Sequence, residues 1–157
     1  MKQHVAMKQH VIISCAFALI AMAVSGCTSM GSASSALSAF EQLGGTGNLT
    51  KVASSFLGST LKDPQLSGLT AGKSIDSAAT TGKLTNQLCS LLGGGCQAPL
   101  TDSQVNAAAS KVSPDQSKAI SSNFESALKS VVSDPAVQKL VTSTVGSKLS
   151  GIVGALL

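Results

Sequence analysis

The chain has 157 residues, 43% of them hydrophobic, with eleven Lys, no Arg, seven acidic residues, two His and neither Trp nor Tyr. That is one domain's worth of chain, long enough to bury a modest core. A net charge of +4, dispersed and without Arg for bidentate phosphate contacts or Tyr and Trp for base stacking, excludes nucleic-acid recognition.

The first twelve residues read MKQHVA then MKQHVI, a tandem near-duplication in which either Met1 or Met7 serves as a start. Both histidines, His4 and His10, fall here. After Lys8 comes the uncharged run VIISCAFALIAMA, residues 11–23, followed by Val24-Ser25-Gly26-Cys27. A basic flank, a short apolar stretch and small residues at its exit are the parts of a secretory signal peptide. The run is too short to span a bilayer, which takes about 20 apolar residues. Its Val-Ser-Gly-Cys ending resembles the lipobox of bacterial lipoproteins. The resemblance implies removal of residues 1–26 and lipid attachment at Cys27. Ile12-Ile13-Ser14-Cys15 fits the same pattern, but only Val11 would then separate it from the basic flank, so Cys27 is the expected site. Two or three acyl chains, at about 0.8 kcal/mol per buried methylene, hold a protein on a membrane durably. Thr28 stands where an Asp would signal inner-membrane retention in the enterobacterial pattern. The expected location is therefore the outer membrane, facing the periplasm.

Residues 28–35, TSMGSASS, are small and polar and read as a flexible tether. The body, residues 36–157, shows helical spacing throughout. Ala36, Leu37, Phe40 and Leu43 mark a first helix, stopped at Gly44-Gly45 by a left-handed cap. Leu49, Val52, Ala53, Phe56, Leu57 and Leu61 mark a second, ended by Asp63-Pro64. Residues 65–82 lose the pattern, apart from a short helix at 74–79. Leu84, Leu88, Leu91 and Leu92 form the next stripe, halted by three glycines. Leu100 and Thr101 open a helix with Val105, Ala108, Ala109 and Val112 inward. Ser113-Pro114-Asp115 and Asp134-Pro135 are helix-start signatures. They precede the stripe Ile120, Phe124, Ala127, Leu128, Val131, Val132 and the stripe Val137, Leu140, Val141, Val145, Leu149, Ile152, Val153, Leu156. Residues 55–69 and 126–140 align on their Asp-Pro pairs, which reads either as a faint internal repeat or as shared helix-boundary chemistry. No segment alternates with period two as a half-buried strand would. The expected fold is all-α, five or six short amphipathic helices in one bundle.

Cys89 and Cys96 enclose Ser-Leu-Leu-Gly-Gly-Gly. In an exported chain such a pair is most simply a disulfide. Redox catalysis favours Cys-x-x-Cys at a helix N-terminus, and zinc would need further ligands where the mature chain has no histidine. Without histidine, a serine nucleophile would depend on Lys73-Ser74 or Ser147-Lys148, and neither sits in a supporting motif. The carboxylates Glu41, Asp63, Asp76, Asp102, Asp115, Glu125 and Asp134 are scattered, several at helix starts. No catalytic residue, cofactor or metal site is expected. Removing the leader lysines Lys2 and Lys8 leaves nine Lys against seven acids, about +2. The final stripe, residues 136–157, either completes the core or turns its apolar face to a membrane surface or to the groove of an envelope partner. Taken together, the expected protein is a small lipoprotein acting as a structural or protein-interaction module, not an enzyme. A carrier or sensor of an apolar ligand in the periplasm is the alternative.

Overall fold

The computed structural model describes residues 38–157; Cys27, the signal segment and the tether at 28–35 lie outside the described residues. Most of the helices begin where a side chain satisfies their free amides. Ser38 and Glu41 form a capping box at the head of α1 (Ala39–Leu43), the Ser38 hydroxyl accepting from the Glu41 amide at 3.2 Å. Gly44, at φ 94°, turns the chain into α2 (Gly45–Lys62). Only glycine takes that conformation without strain, and a side chain there would also strike Asn48. Asp63 closes α2 and opens a single 3-10 turn, Pro64–Leu66, by accepting from the Gln65 amide at 2.9 Å.

The loosened stretch holds a four-residue α3 (Ser67–Thr70) and then the start of α4 (Ser77–Leu91), capped by Asp76. Here the structure departs from expectation. The short helix at 74–79 and the leucine stripe from Leu84 are one continuous helix, because Asp76 accepts from both Ala78 and Ala79 at 3.0 Å and nothing afterwards breaks the turn. Gly82 and Lys83 lie exposed within it and so leave no apolar mark. Capping boxes at Thr101/Gln104 and Ser113/Gln116 open α5 (Asp102–Ala109) and α6 (Pro114–Val131). Asp134 and Pro135 open α7 (Pro135–Leu156). Asp63 and Asp134 do the same local job, accepting from the amide two residues on, so helix-boundary chemistry is enough to account for the resemblance of their segments.

The all-α expectation holds: the described residues form seven α-helices and one 3-10 turn, without a strand. Their core is a continuous cluster that includes Leu49, Phe56, Leu88, Ile120, Phe124 and Leu149. Phe56 of α2 meets Phe124 of α6 edge to face, ring centres 5.5 Å apart, a geometry that adds about 0.5–1.5 kcal/mol to plain burial. The stripe of α7 points inward, with Val141, Val145 and Ile152 fully buried. Among the described residues no helix is long and apolar enough to cross a membrane.

α7 and α5 lie unusually close. A Cβ on Gly151 would stand 2.2 Å from the Val105 carbonyl oxygen, and one on Gly154 would stand 3.2 Å from that of Ala108. Ser117 and Ser150 share a hydrogen bond at 2.6 Å between α6 and α7, and Lys148 pairs with Asp102 of α5 at the surface. Gly151→Ala should therefore destabilise the fold by about 1–3 kcal/mol through overpacking. Gly146→Ala, where a side chain meets nothing within 4 Å, should stabilise it by about 0.5–1 kcal/mol. Chemical denaturation of both variants checks the pair; a neutral Gly151→Ala would contradict the close crossing.

Candidate functional site

Two local arrangements carry chemistry. The first is the bond between Cys89 and Cys96, whose Cα atoms are 5.6 Å apart. Cys89 is fully buried at the end of α4, Cys96 half-buried. The Gly94 amide donates to the Cys89 carbonyl at 2.8 Å and folds the chain back. A side chain on Gly94 would collide with Cys89 Sγ and with the ring of Phe40. Phe40 in turn donates its amide to the Leu92 carbonyl at 3.0 Å, and Gln87, buried in α4, accepts from the Leu100 amide at 2.9 Å. The bridge thus fastens α1 and the loop before α5 to the end of α4. Closing so short a ring removes about 2–3 kcal/mol of unfolded-state entropy in the chain-entropy account. A fully buried sulfur packed this way is a staple, not a reactive thiol.

The second lies between α2, α4 and the last turn of α7. Phe56, Leu57, Leu84, Val153, Leu156 and Leu157 line an apolar cleft together with Thr60 and Thr80, and its free volume is about 10 Å³. Thr60 is only 1% exposed, and its Oγ1 has no hydrogen-bond partner. Thr85 on α4 is in the same condition. Buried hydroxyls are nearly always paired, and leaving one unpaired costs about 1–3 kcal/mol. Periodicity alone did not reveal Thr60. It occupies a core position of α2, and only the packed structure shows its hydroxyl without a partner.

The other polar residues singled out from the sequence are not brought together. Glu41, Asp63, Asp76 and Asp134 cap helices, and Asp115 lies in the first turn of α6. Asp102 pairs with Lys148 and Glu125 with Lys129 at 3.8 Å, both at the surface. Lys148 is thereby held by Asp102 and not by Ser147, and Lys73-Ser74 lies in the exposed loop before α4. Among the described residues no group of three or more His, Cys, Asp or Glu side chains is placed to hold a metal ion.

No protein-family model and no curated protein matches the chain. In fold, the chain is similar to a truncated hemoglobin from Tetrahymena pyriformis, a point mutant in its Fe(III) form. The TM-score is 0.62 at 20% identity, over 74% of this chain and 97% of that one. The likeness corrects one expectation of the sequence. The expected role as a structural or protein-interaction module is not upheld, because the described body is similar in fold to a truncated hemoglobin, and local helix signals carry no information on that arrangement.

The described residues do not suit haem. Haem iron is held by His, by Cys thiolate, by Met with His, or by Tyr. The chain has no Tyr; its histidines are His4 and His10 and its methionines Met1, Met7, Met22 and Met30, all outside the described residues. Cys89 and Cys96 are spent on each other. The apolar cleft falls far short of the roughly 300–1,000 Å³ of ordinary small-molecule pockets. Two roomier grooves, of about 400 and 650 Å³, lie open along α6, and neither is lined by an iron-ligating side chain.

Thr60→Val, which keeps the shape and deletes the unpaired hydroxyl, should raise stability by about 1–2 kcal/mol. Thermal and urea unfolding measure it. A loss of stability would show that the hydroxyl has a partner after all.

Proposed function

We propose that this chain is a globin-fold protein that binds a small ligand by shape and burial, without iron. The reading is carried by one combination: a body similar in fold to a hemoglobin whose described residues supply no side chain able to hold haem iron. The fold's helices remain, and the chemistry that iron would bring has no anchor among them. Titrating hemin into the full chain, reconstituted in phospholipid nanodiscs, tests this. The expected result is an absorption spectrum equal to that of hemin with empty nanodiscs. A saturable Soret shift at one hemin per chain would overturn the reading.

The same proposal places the body at a membrane surface through lipid on Cys27, with residues 28–35 as the tether, on the periplasmic face of an outer membrane. Supporting it are the apolar run at 11–23, the Val24-Ser25-Gly26-Cys27 sequence and the Cys89–Cys96 bond, since disulfides persist in oxidising compartments. Chains that anchor two or three acyl groups stay with the bilayer. Intact mass should therefore show a diacylglyceryl or triacyl addition on a chain beginning at Cys27, and Cys27→Ala should move the protein out of the membrane fraction. An unmodified mass, or a Cys27→Ala chain still processed and pelleted with membranes, would remove the anchor.

A further inference from the structure

We propose that the groove between the last turns of α6 and the first turns of α7 is the binding site, and that its ligand is a short-chain monocarboxylate: a hydrocarbon tail ending in one negative charge. This rests on the iron-free ligand-binding reading and gives it a place and a ligand class. The groove has a volume of about 400 Å³, inside the roughly 300–1,000 Å³ of small-molecule sites. Leu128 of α6, buried in the core, is its floor, and Pro135 at the start of α7 adds apolar surface. Two of its polar side chains are already engaged. Gln138 donates its side-chain amide to the Val132 carbonyl at 2.6 Å, and Ser143 donates its hydroxyl to the Leu140 carbonyl at 2.9 Å. With those donors turned back on the local backbone, the trough between the helices is mostly hydrocarbon.

The charged part of the lining is Lys129, Lys139 and Glu125. Lysine lays its methylene stem along apolar surface and keeps its ammonium at the water's edge, so the two ammoniums belong to the rim and the stems to the walls. Glu125 faces Lys129 at 3.8 Å, an exposed pair, and no ion pair joins Lys139 to any described carboxylate. Two cations against one anion leave a single positive charge for a ligand to answer. A dianion would meet Glu125, and a cation would meet both ammoniums. An exposed ion pair contributes little alone, so most of the binding comes from hydrocarbon laid over Leu128 and Pro135, and the charge decides which end of the ligand lies at the rim. A flat anionic bilayer is a poor occupant, because its charge stays in the headgroup plane while Leu128 lies at the bottom of a concave groove.

The test is methyl NMR on the full chain in phosphatidylcholine nanodiscs, labelled at Leu and Thr, titrated with hexanoate and separately with hexan-1-ol. Saturable hexanoate shifts are expected at Leu128 and Thr142, the methyl-bearing residues of the lining, with hexan-1-ol binding more weakly. Lys139→Gln should weaken hexanoate about three-fold and Glu125→Gln should tighten it by about the same factor, while hexan-1-ol is unchanged in both. Lys139 and Glu125 are exposed, so neither substitution disturbs the core, and opposite effects on one ligand separate charge from shape. Shifts that never saturate, hexan-1-ol bound as tightly as hexanoate, or a Glu125→Gln chain that binds hexanoate no better than wild type would each overturn the site. So would the same shifts produced by phosphatidylglycerol nanodiscs without hexanoate, which would assign the groove to a bilayer surface. Failure here leaves the hemin result standing, and uptake of hemin would contradict the iron-free reading while the hexanoate shifts at Leu128 and Thr142 remained.

Discussion

The close crossing of α5 on α7 is the contact on which the body depends. Gly151 brings the backbone of α7 against the Val105 carbonyl, where even one added carbon would lie 2.2 Å from the oxygen. That approach lets Val105 reach full burial from a helix of only eight residues. A helix so short has little stability of its own, and it persists because its Thr101/Gln104 cap and its packing on α7 hold it. α7 serves in the same way on its other sides. It packs against α6 through Ser150 and Ser117 and closes the cleft beside α2 and α4. The segment with the longest apolar stripe thus becomes the central strut of the fold.

Much of this was legible in the residues. Asp63-Pro64, Ser113-Pro114 and Asp134-Pro135 mark helix boundaries because capping and the fixed φ of proline are local effects. The Cys89–Cys96 bridge was legible as well, since the triple glycine between them permits the chain to reverse. The single helix across Ser77 was not, because Gly82 and Lys83 carry no apolar signal on the exposed face of a helix whose buried side is partly threonine and glutamine. Order of packing was hidden altogether. Five or six amphipathic helices can be arranged as a simple bundle or as a globin-like body with identical stripes, and the choice lies in contacts such as Gly151 on Val105 that no periodicity records.

That arrangement also bears on function. An interaction module was the natural expectation for a chain whose histidines are His4 and His10 alone and which shows no catalytic grouping, yet the described body is similar to a hemoglobin in fold. Beside that likeness stands a set of described residues that offers haem iron no ligand. Thr60 and Thr85 keep buried hydroxyls without a partner, and an unpaired hydroxyl costs stability in every molecule that keeps it.

The iron content and visible spectrum of the protein purified from cells that make it, with its lipid intact, bear most directly on the whole account. A globin-like body that works without haem predicts far less than one iron per chain and no Soret band, alongside the circular dichroism of a helical fold. One iron per chain with a Soret band, in a protein of that same helicity, would contradict it.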